Sequence, residues 1–404
     1  MMMKKDICEF LYIYKRKTKA FFYGLFFYIF RVFPIKNNKI IMWTFEGNRA
    51  FCCGPKYIAE EILNRKQKKS CDFDIYWLVN DMNSEFPEGI IKIKNTVWNR
   101  VYHLTTAKFW ITNTRNVYGT KKRKKQIYIQ TWHGSPCIKP IGRYRGELLP
   151  RIAGIISEYD SRMIDYVLSG SKWSDEHYPD GLFYDGTILR IGSPRCDILF
   201  RREEILEKIH DMYAVPRHSK ILLYAPTFRG GSQHTARSVL NEETTLDGDR
   251  LIKALENRFK GKWYIFLRLH PQLAAQNEVC KTRSLSERII DVTQHQDMNE
   301  LLACADAFIS DYSSAIFDAM LTKIPCFTYA DDLEDYISDR GSLLWNMYKL
   351  PFPVSLNNDE LVYNIENFNI EEYEKNVSKF MEKIEVYEPG NAAQKTVDLV
   401  ENLI

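Results

Sequence analysis

From Lys39 onward the chain alternates short apolar runs of strand length with helical stretches, and few architectures accept that alternation. Strands joined through helices lie parallel, because a parallel pair needs a crossover where an antiparallel pair needs only a tight turn. The first series predicts strands at Ile40–Thr44, Ile75–Val79, Phe109–Thr112, Ile127–Thr131, Tyr166–Ser169 and Ile188–Gly192. Helices are expected between them at Tyr57–Asn64, Asn99–Thr106 and Lys172–Tyr178. A charged helix over Arg201–Met212 then leads through Val215-Pro216 to a second series, with strands at Ile221–Ala225, Trp263–Arg268, Ile289–Val292, Ala307–Ser310 and Cys326–Tyr329. Its helices are expected at Arg250–Phe259, Met298–Cys304 and Ser314–Leu321, and the tail from about Glu360 also reads as helical. At 404 residues the chain exceeds what one hydrophobic core supports, which is about 250–300 residues. The expected fold class is therefore α/β, with two Rossmann-like domains facing a cleft, an N-terminal one over 35–200 and a C-terminal one over 201–404.

Residues 1–34 stand apart. The first 40 residues hold nine Lys and Arg against Asp6 and Glu9, while the rest of the chain is mildly acidic. That asymmetry argues against nucleic acid as a partner and for attraction to an anionic surface. Within this segment Ala20–Phe30 reads AFFYGLFFYIF between Lys19 and Arg31. Eleven uncharged residues are too few for a hydrocarbon core that needs about 20, so an amphipathic helix lying in the membrane interface is expected. The alternative is a core helix packed on the first domain. Nine cysteines without metal-ligand spacing imply a reducing setting and no structural zinc, and no small-residue cleavage site follows the first apolar run. Together these lead to the expectation of a protein held peripherally at an anionic membrane surface in a reducing setting. The basic run Lys121–Lys125 reads as a solvated loop, and Arg229–Gly248 as a mobile active-site loop.

Open parallel sheets bind ligands beyond the carboxyl ends of their strands, and those ends are rich in chemistry here. Trp132-His133-Gly134-Ser135-Pro136 follows the fourth strand run, and Ser193-Pro194-Arg195-Cys196-Asp197 follows the sixth. In the second series the rim carries Pro226-Thr227-Phe228-Arg229-Gly230, Leu269-His270-Pro271 and Asp311-Tyr312-Ser313-Ser314. Ser313 and Ser314 open a helix, where unpaired amides and partial positive charge suit a phosphate. Each feature alone has a plainer reading: a capping serine, a loop histidine, a strand-stopping proline, and for Asp318 an exposed helix carboxylate. Together, cations, imidazoles and a helix start suit a ligand with two phosphates, with a histidine opposite to take a proton from an incoming hydroxyl. P-loop, dinucleotide, zinc-protease and nucleophile-elbow motifs are missing from the sequence. Asp331-Asp332 reads as a solvated pair rather than a metal site, and no cofactor or metal is expected.

At these residues the sequence resembles the CDP-glycerol glycerophosphotransferases of teichoic acid and capsule synthesis. The resemblance rests on QTWHGSP (Gln130–Pro136), GSPRCDIL (Gly192–Leu199), LLYAPTFRG (Leu222–Gly230), LRLHP (Leu267–Pro271) and ISDYSSAIFDAM (Ile309–Met320), in order, with TAKFWITN (Thr106–Asn113) and Lys323–Gly341 in support. It implies a GT-B-type fold, a CDP-activated polyol donor, a lipid-linked or glycan acceptor, and release of CMP. By the same resemblance His133 and His270 are the catalytic pair. Arg195, Asp197, Thr227, Arg229, Gly230, Asp311, Ser313, Ser314 and Asp318 would bind the donor, and Trp132, Gly134, Ser135 and Lys139 would line the acceptor side. Ser135, Cys137-Ile138 and Cys196 depart from the residues usual at those places, which bears on the choice of polyol and acceptor more than on the reaction. Two other readings are a sugar glycosyltransferase of the same architecture and an inactive membrane-associated nucleotide-binding protein.

Overall fold

The computed structural model describes residues 2–44, 51–227, 245–269 and 286–404. Two all-parallel sheets dominate it. The first has seven strands in the order β3-β2-β1-β4-β5-β6-β7 and the second six in the order β10-β9-β8-β11-β12-β13. In the first, β1 (Lys36–Trp43), β2 (Asp74–Val79), β4 (Ala107–Thr112), β5 (Ile127–Gln130), β6 (Tyr166–Leu168) and β7 (Thr187–Leu189) match the expected strands, joined by β3 (Ile90–Lys94) at one edge. In the second, β8 (Lys220–Tyr224), β9 (Trp263–Leu267), β10 (Ile289–Asp291), β11 (Ala307–Ser310) and β12 (Cys326–Tyr329) do the same, with β13 (Val354–Ser355) at the edge. Ile40, Ile41, Met42, Ile265, Phe266, Phe308 and Ile309 are almost wholly buried, as strands covered on both faces require. Strand order reverses between β1 and β4, and again between β8 and β11. Those two switch points open crevices at the carboxyl ends of their strands.

Several elements differ from expectation. Strands β3 and β13 escape the sequence pattern because β3 alternates lysines with isoleucines at a partly exposed edge and β13 is two residues long. The charged stretch after Phe200 is a 3-10 turn, Arg202–Glu204, and a short helix, Leu206–Met212. The helix after Ser314 runs only over Ala315–Ala319 before tightening into a 3-10 turn at Met320–Thr322. The last helix, Ala392–Asn402, leaves the second sheet and returns to the first. Its Val397 and Val400 pack with Ile58 and Ile62, and Arg65 forms ion pairs with Asp398 and Glu401.

The N-terminal segment is one helix, α1 (Met2–Ile29), with one face packed and the other open. Ala20 and Phe27 are buried, and a Cβ on Gly119, whose φ is +102°, would lie 2.3 Å from the Ala20 carbonyl oxygen. Only glycine admits both that contact and that backbone angle. Phe26 meets Trp98 edge to face at 4.8 Å, while Phe21, Phe22, Tyr28 and Ile29 stay exposed. No helix among the described residues is long and apolar enough to cross a membrane.

Asp197 anchors the returning helix, its buried carboxylate accepting the amides of Ala392 at 2.9 Å and Ala393 at 2.8 Å. These are orphan donors at a helix start, which a carboxylate satisfies well. Asp197→Ala should cost about 1–2 kcal/mol and let the final helix open locally. Hydrogen exchange should then quicken across Ala392–Asn402 while β1 and β4 keep their protection; unchanged exchange in that helix would show that the cap is dispensable.

Candidate active site

The two switch points face each other across a cavity of about 370 Å³. The first half contributes Cys52 and Cys53 at the start of α2 (Cys53–Gln67), Trp132, His133 and Gly134 after β5, and Cys137 to Lys139. The second contributes Pro226 and Thr227 after β8, Arg268 and Leu269 after β9, Gln296 to Asn299 at the start of the Met298–Cys304 helix, and Ser313 and Ser314 after β11. Arg195 and Asp318 complete the wall.

His133 is held in one tautomer. Its Nδ1 lies 2.6 Å from the Asn113 carbonyl oxygen, and because a carbonyl only accepts, Nδ1 carries the proton and Nε2 the lone pair. Burial, with Arg195 and Arg115 nearby, draws its pKa down to about 4 against the opposing pull of the Asn113 carbonyl. The ring is therefore neutral at pH 7. Trp132 packs on it with ring centroids 4.5 Å apart, and the Arg115 guanidinium lies 5.7 Å from the Trp132 ring. Arg115 is fixed by the carbonyls of Ser157 and Leu182 and by Ser161 Oγ.

The turn bearing His133 is strained. Trp132 has φ +53°, rare for a bulky side chain, and Cys53 across the cavity wall has φ +58°. Gln130 compensates at Trp132: its Oε1 accepts the Trp132 amide at 3.1 Å while its Nε2 donates to the Thr114 carbonyl and the Tyr128 hydroxyl. Gly134 meets the second half directly, since a Cβ there would stand 2.5 Å from Ser314 Oγ.

The acids near the cavity are engaged by donors. Asp318 takes Arg195 in a two-pronged pair, Nε to Oδ2 at 2.9 Å and a terminal nitrogen to Oδ1 at 2.8 Å, and also accepts from Asn299. It is buried rather than an exposed helix carboxylate. Asp311 receives the Thr227 amide and hydroxyl and the Tyr312 amide, tying the β8 rim to the β11 rim. Asp297 accepts from Lys56 Nζ at 3.0 Å, and Lys56 also reaches Glu300 at 2.5 Å, so α2 is bound to the second half through buried charges. What remains facing the cavity is amides, hydroxyls and cations, a surface for an anion.

Of the residues expected from sequence, Trp132, His133, Gly134, Lys139, Arg195, Thr227, Ser313, Ser314 and Asp318 line this cavity. Asp197 and Asp311 do not; their carboxylates hold backbone amides instead. Ser135 also turns away, donating to Ser174 Oγ at 2.6 Å. His270, Arg229, Gly230 and most of the Arg229–Gly248 loop lie outside the described residues. Sequence reasoning missed Asn299, Gln296 and Arg268, although the rule used for the other rims reaches Gln296–Asn299 once the end of β10 is examined in the same way. The Cys53 and Cys137 thiols are pushed up by burial to about 11 and about 12, so they stay protonated and are not nucleophiles at neutral pH. Asp332 accepts the Tyr312 hydroxyl, and Asp331 a hydroxyl from Thr245. Among the described residues no group of three or more His, Cys, Asp or Glu is placed to hold a metal ion.

The sequence profile of the CDP-glycerol:poly(glycerophosphate) glycerophosphotransferases matches residues 25–402, nearly the whole chain and both walls of the cavity. The chain belongs to that glycerophosphotransferase family. It is 26% identical over 388 residues to a teichoic acid poly(glycerol phosphate) polymerase of Bacillus spizizenii, covering 93% of this chain and 95% of that one. It is 28% identical over 322 residues to the teichoic acid glycerol-phosphate primase of Bacillus subtilis, covering 79% and 78%. A Staphylococcus epidermidis poly(glycerol phosphate) polymerase matches at 28% over 379 residues, but there this chain spans only 51% of the relative's length. Among solved structures, a histidine variant of the wall teichoic acid polymerase TagF superposes with a TM-score of 0.78 at 25% identity, covering 98% of each chain.

The Arg195–Asp318 pair allows charge pairing to be separated from packing. Asp318→Ala should destabilise it by about 3–5 kcal/mol, because a buried guanidinium loses its counter-charge. Arg195→Met combined with Asp318→Leu should recover most of that in a denaturant titration; a double variant as unstable as the single one would mean that the pair's geometry, not its charge, is what the fold requires.

Proposed function

We propose that the cavity is where a polyol phosphate passes from a CDP-activated donor to an acceptor hydroxyl. Family membership makes the chain a polyol-phosphate transferase of teichoic acid synthesis; the assignments to residues are our reading. The observation that carries them is the neutral His133, with its proton fixed on Nδ1 and its lone pair on Nε2, across the cavity from Ser313 and Ser314. The acceptor oxygen attacks the polyol-bearing phosphorus, its proton passes to Nε2 of His133, and the bond to CMP breaks with the electron pair leaving on CMP. Such a transfer needs placement and charge stabilisation more than covalent help. The Ser313-Ser314 turn and the remaining N–H groups of Arg195 supply donors for the diphosphate, Thr227 shapes the rim while its amide and hydroxyl hold Asp311, and the fifteen-residue helix α2, with its N-terminus at the cavity wall, adds a stronger dipole than the five-residue Ala315–Ala319 helix. His270 and Arg229 belong to this donor side on the resemblance, and Trp132, Gly134 and Lys139 to the acceptor side.

The two halves then act as the acceptor and donor domains of a GT-B-type enzyme, over 35–200 and 201–404. The exposed aromatic face of α1 and its basic flank support peripheral attachment to the cytoplasmic membrane face, where a lipid-linked acceptor is within reach. Glycerol phosphate is the donor group we favour, as both the family description and the Bacillus spizizenii relative concern glycerol phosphate.

His133→Ala should lower turnover of CDP-glycerol by roughly 10²–10⁴-fold, the range of a lost general base, while CMP affinity measured by calorimetry stays within a few-fold. Near-normal turnover would remove His133 from the base role. The lowered pKa also fixes a pH signature. A base must be deprotonated to act, and a free-enzyme pKa of about 4 keeps His133 deprotonated across pH 5–8. The kcat/KM profile should therefore show no acid limb from this residue near 6.5, while the limb in kcat should sit higher, because a bound diphosphate favours the imidazolium. An acid limb near 6.5 in kcat/KM that disappears in His133→Ala would contradict the assigned environment.

A further inference from the structure

A second concavity lies at the opposite rim of the first sheet. It has a volume of about 710 Å³ and is set at the amino ends of β1, β4, β5 and β6, where Asn37, Lys108, Ile127 and Tyr166 line it. Its charged wall comes from Lys108 and the run Arg123, Lys124 and Lys125. The acid on this wall, Asp165, is already engaged by Lys122 and by the Tyr128 amide. Lys124 and Lys125 are exposed, and the Lys108 ammonium is turned toward them, donating to the Lys125 carbonyl at 3.1 Å.

This basic loop is not an isolated solvated run. It is built against α1 and against the residues that follow α1. A Cβ on Gly24 would touch the Gly119 carbonyl and Lys121 Cε, each at 3.1 Å, and Arg123 donates to the Phe33 carbonyl at 2.8 Å. Pro34 and Ile35, the residues leading out of the N-terminal helical segment, form part of the groove wall. The groove therefore adjoins the end of the N-terminal helical segment, whose exposed apolar side chains include Phe21, Phe22, Tyr28, Ile29 and Val32.

We infer that this groove is a binding site for the phosphate headgroup of an anionic phospholipid, and that with α1 it forms one membrane-docking surface. The inference rests on the proposed membrane role of α1. Two separate observations meet in it: a cationic concavity of ligand size, within the roughly 300–1,000 Å³ typical of such sites, and an apolar strip on the helical segment that leads into its wall. A lipid presents both chemistries at once, a phosphate to the lysines and acyl chains to the aromatic strip. A soluble phosphodiester polymer offers the phosphates alone and leaves the aromatic strip in water.

The test uses the full chain and two vesicle preparations, pure phosphatidylcholine and phosphatidylcholine with about 30% phosphatidylglycerol, in a flotation assay with Lys124→Gln/Lys125→Gln beside the unaltered protein. Juxtamembrane lysines contribute about fivefold each in affinity for an anionic surface, so the double variant should lose about tenfold or more on phosphatidylglycerol vesicles and nothing on neutral ones. Turnover on a soluble acceptor should be unchanged, since neither lysine is near the catalytic cavity. Phe21→Ser/Phe22→Ser should weaken binding to both vesicle types. Equal binding of the lysine variant and the unaltered protein to anionic vesicles would overturn the groove while leaving α1 standing. Binding of the unaltered protein to neither preparation would overturn the α1 reading and the groove with it. Displacement from anionic vesicles by soluble poly(glycerol phosphate) at equal phosphate concentration, lost in the lysine variant, would reassign the groove to the polymer.

Discussion

The buried pair between Arg195 and Asp318 is the constraint on which the arrangement rests. Arg195 follows the last strand of the first sheet, and Asp318 sits on the short helix that begins beside Ser313 and Ser314. Their two-pronged contact sets the phosphate-friendly turn of the second half against the histidine-bearing turn of the first. Two charges buried together need good geometry and further hydrogen bonds, and Asn299 supplies one. Lys56 with Asp297 and Glu300 repeats the device at the start of α2. Apposition of the two halves is thus written in charge at the cavity edge, where a change in the pairing alters the distance between His133 and the Ser313-Ser314 turn.

The same pairing decides what the cavity offers a ligand. Asp297, Asp311 and Asp318 each stand close to it, and each is occupied by a cation or by backbone and hydroxyl donors. Left unpaired, those carboxylates would repel a diphosphate. With them engaged, the rim is left with amides, hydroxyls, Arg195 and Arg268, and an imidazole kept neutral by burial. A neutral imidazole with Arg195 and Arg115 nearby suits the base role proposed for it, because it adds no positive charge of its own.

Much of this was legible in the sequence, for a physical reason. Strands such as Ile40–Trp43 and Cys326–Tyr329 are buried on both faces and read as continuous apolar runs, so the two parallel sheets and their chemically rich carboxyl ends could be placed from pattern alone. The His133 turn and the Ser313-Ser314 turn follow from that placement. The remainder depends on contacts between residues far apart in sequence. Asp197 sat in a motif suggestive of donor binding, yet its carboxylate meets amides 195 positions away. Asp318 read as a surface acid because its partner is 123 positions earlier. Lys56, Arg115 and Gln130 are ordinary residues in ordinary segments, and only the packed fold shows what each holds. Lys121–Lys125 read as solvated because nothing local reveals that α1 lies against it.

The reaction itself is tested most directly by the nucleotide released. The protein would be incubated with CDP-glycerol, CDP-ribitol and a set of sugar nucleotides together with a teichoic acid primer, and the products identified by phosphorus NMR. CMP, appearing in step with a new phosphodiester signal and only with a CDP-polyol, is the result expected if a polyol phosphate is transferred in this cavity. Release of a nucleoside diphosphate from a sugar nucleotide, with the CDP-polyols untouched, would contradict it.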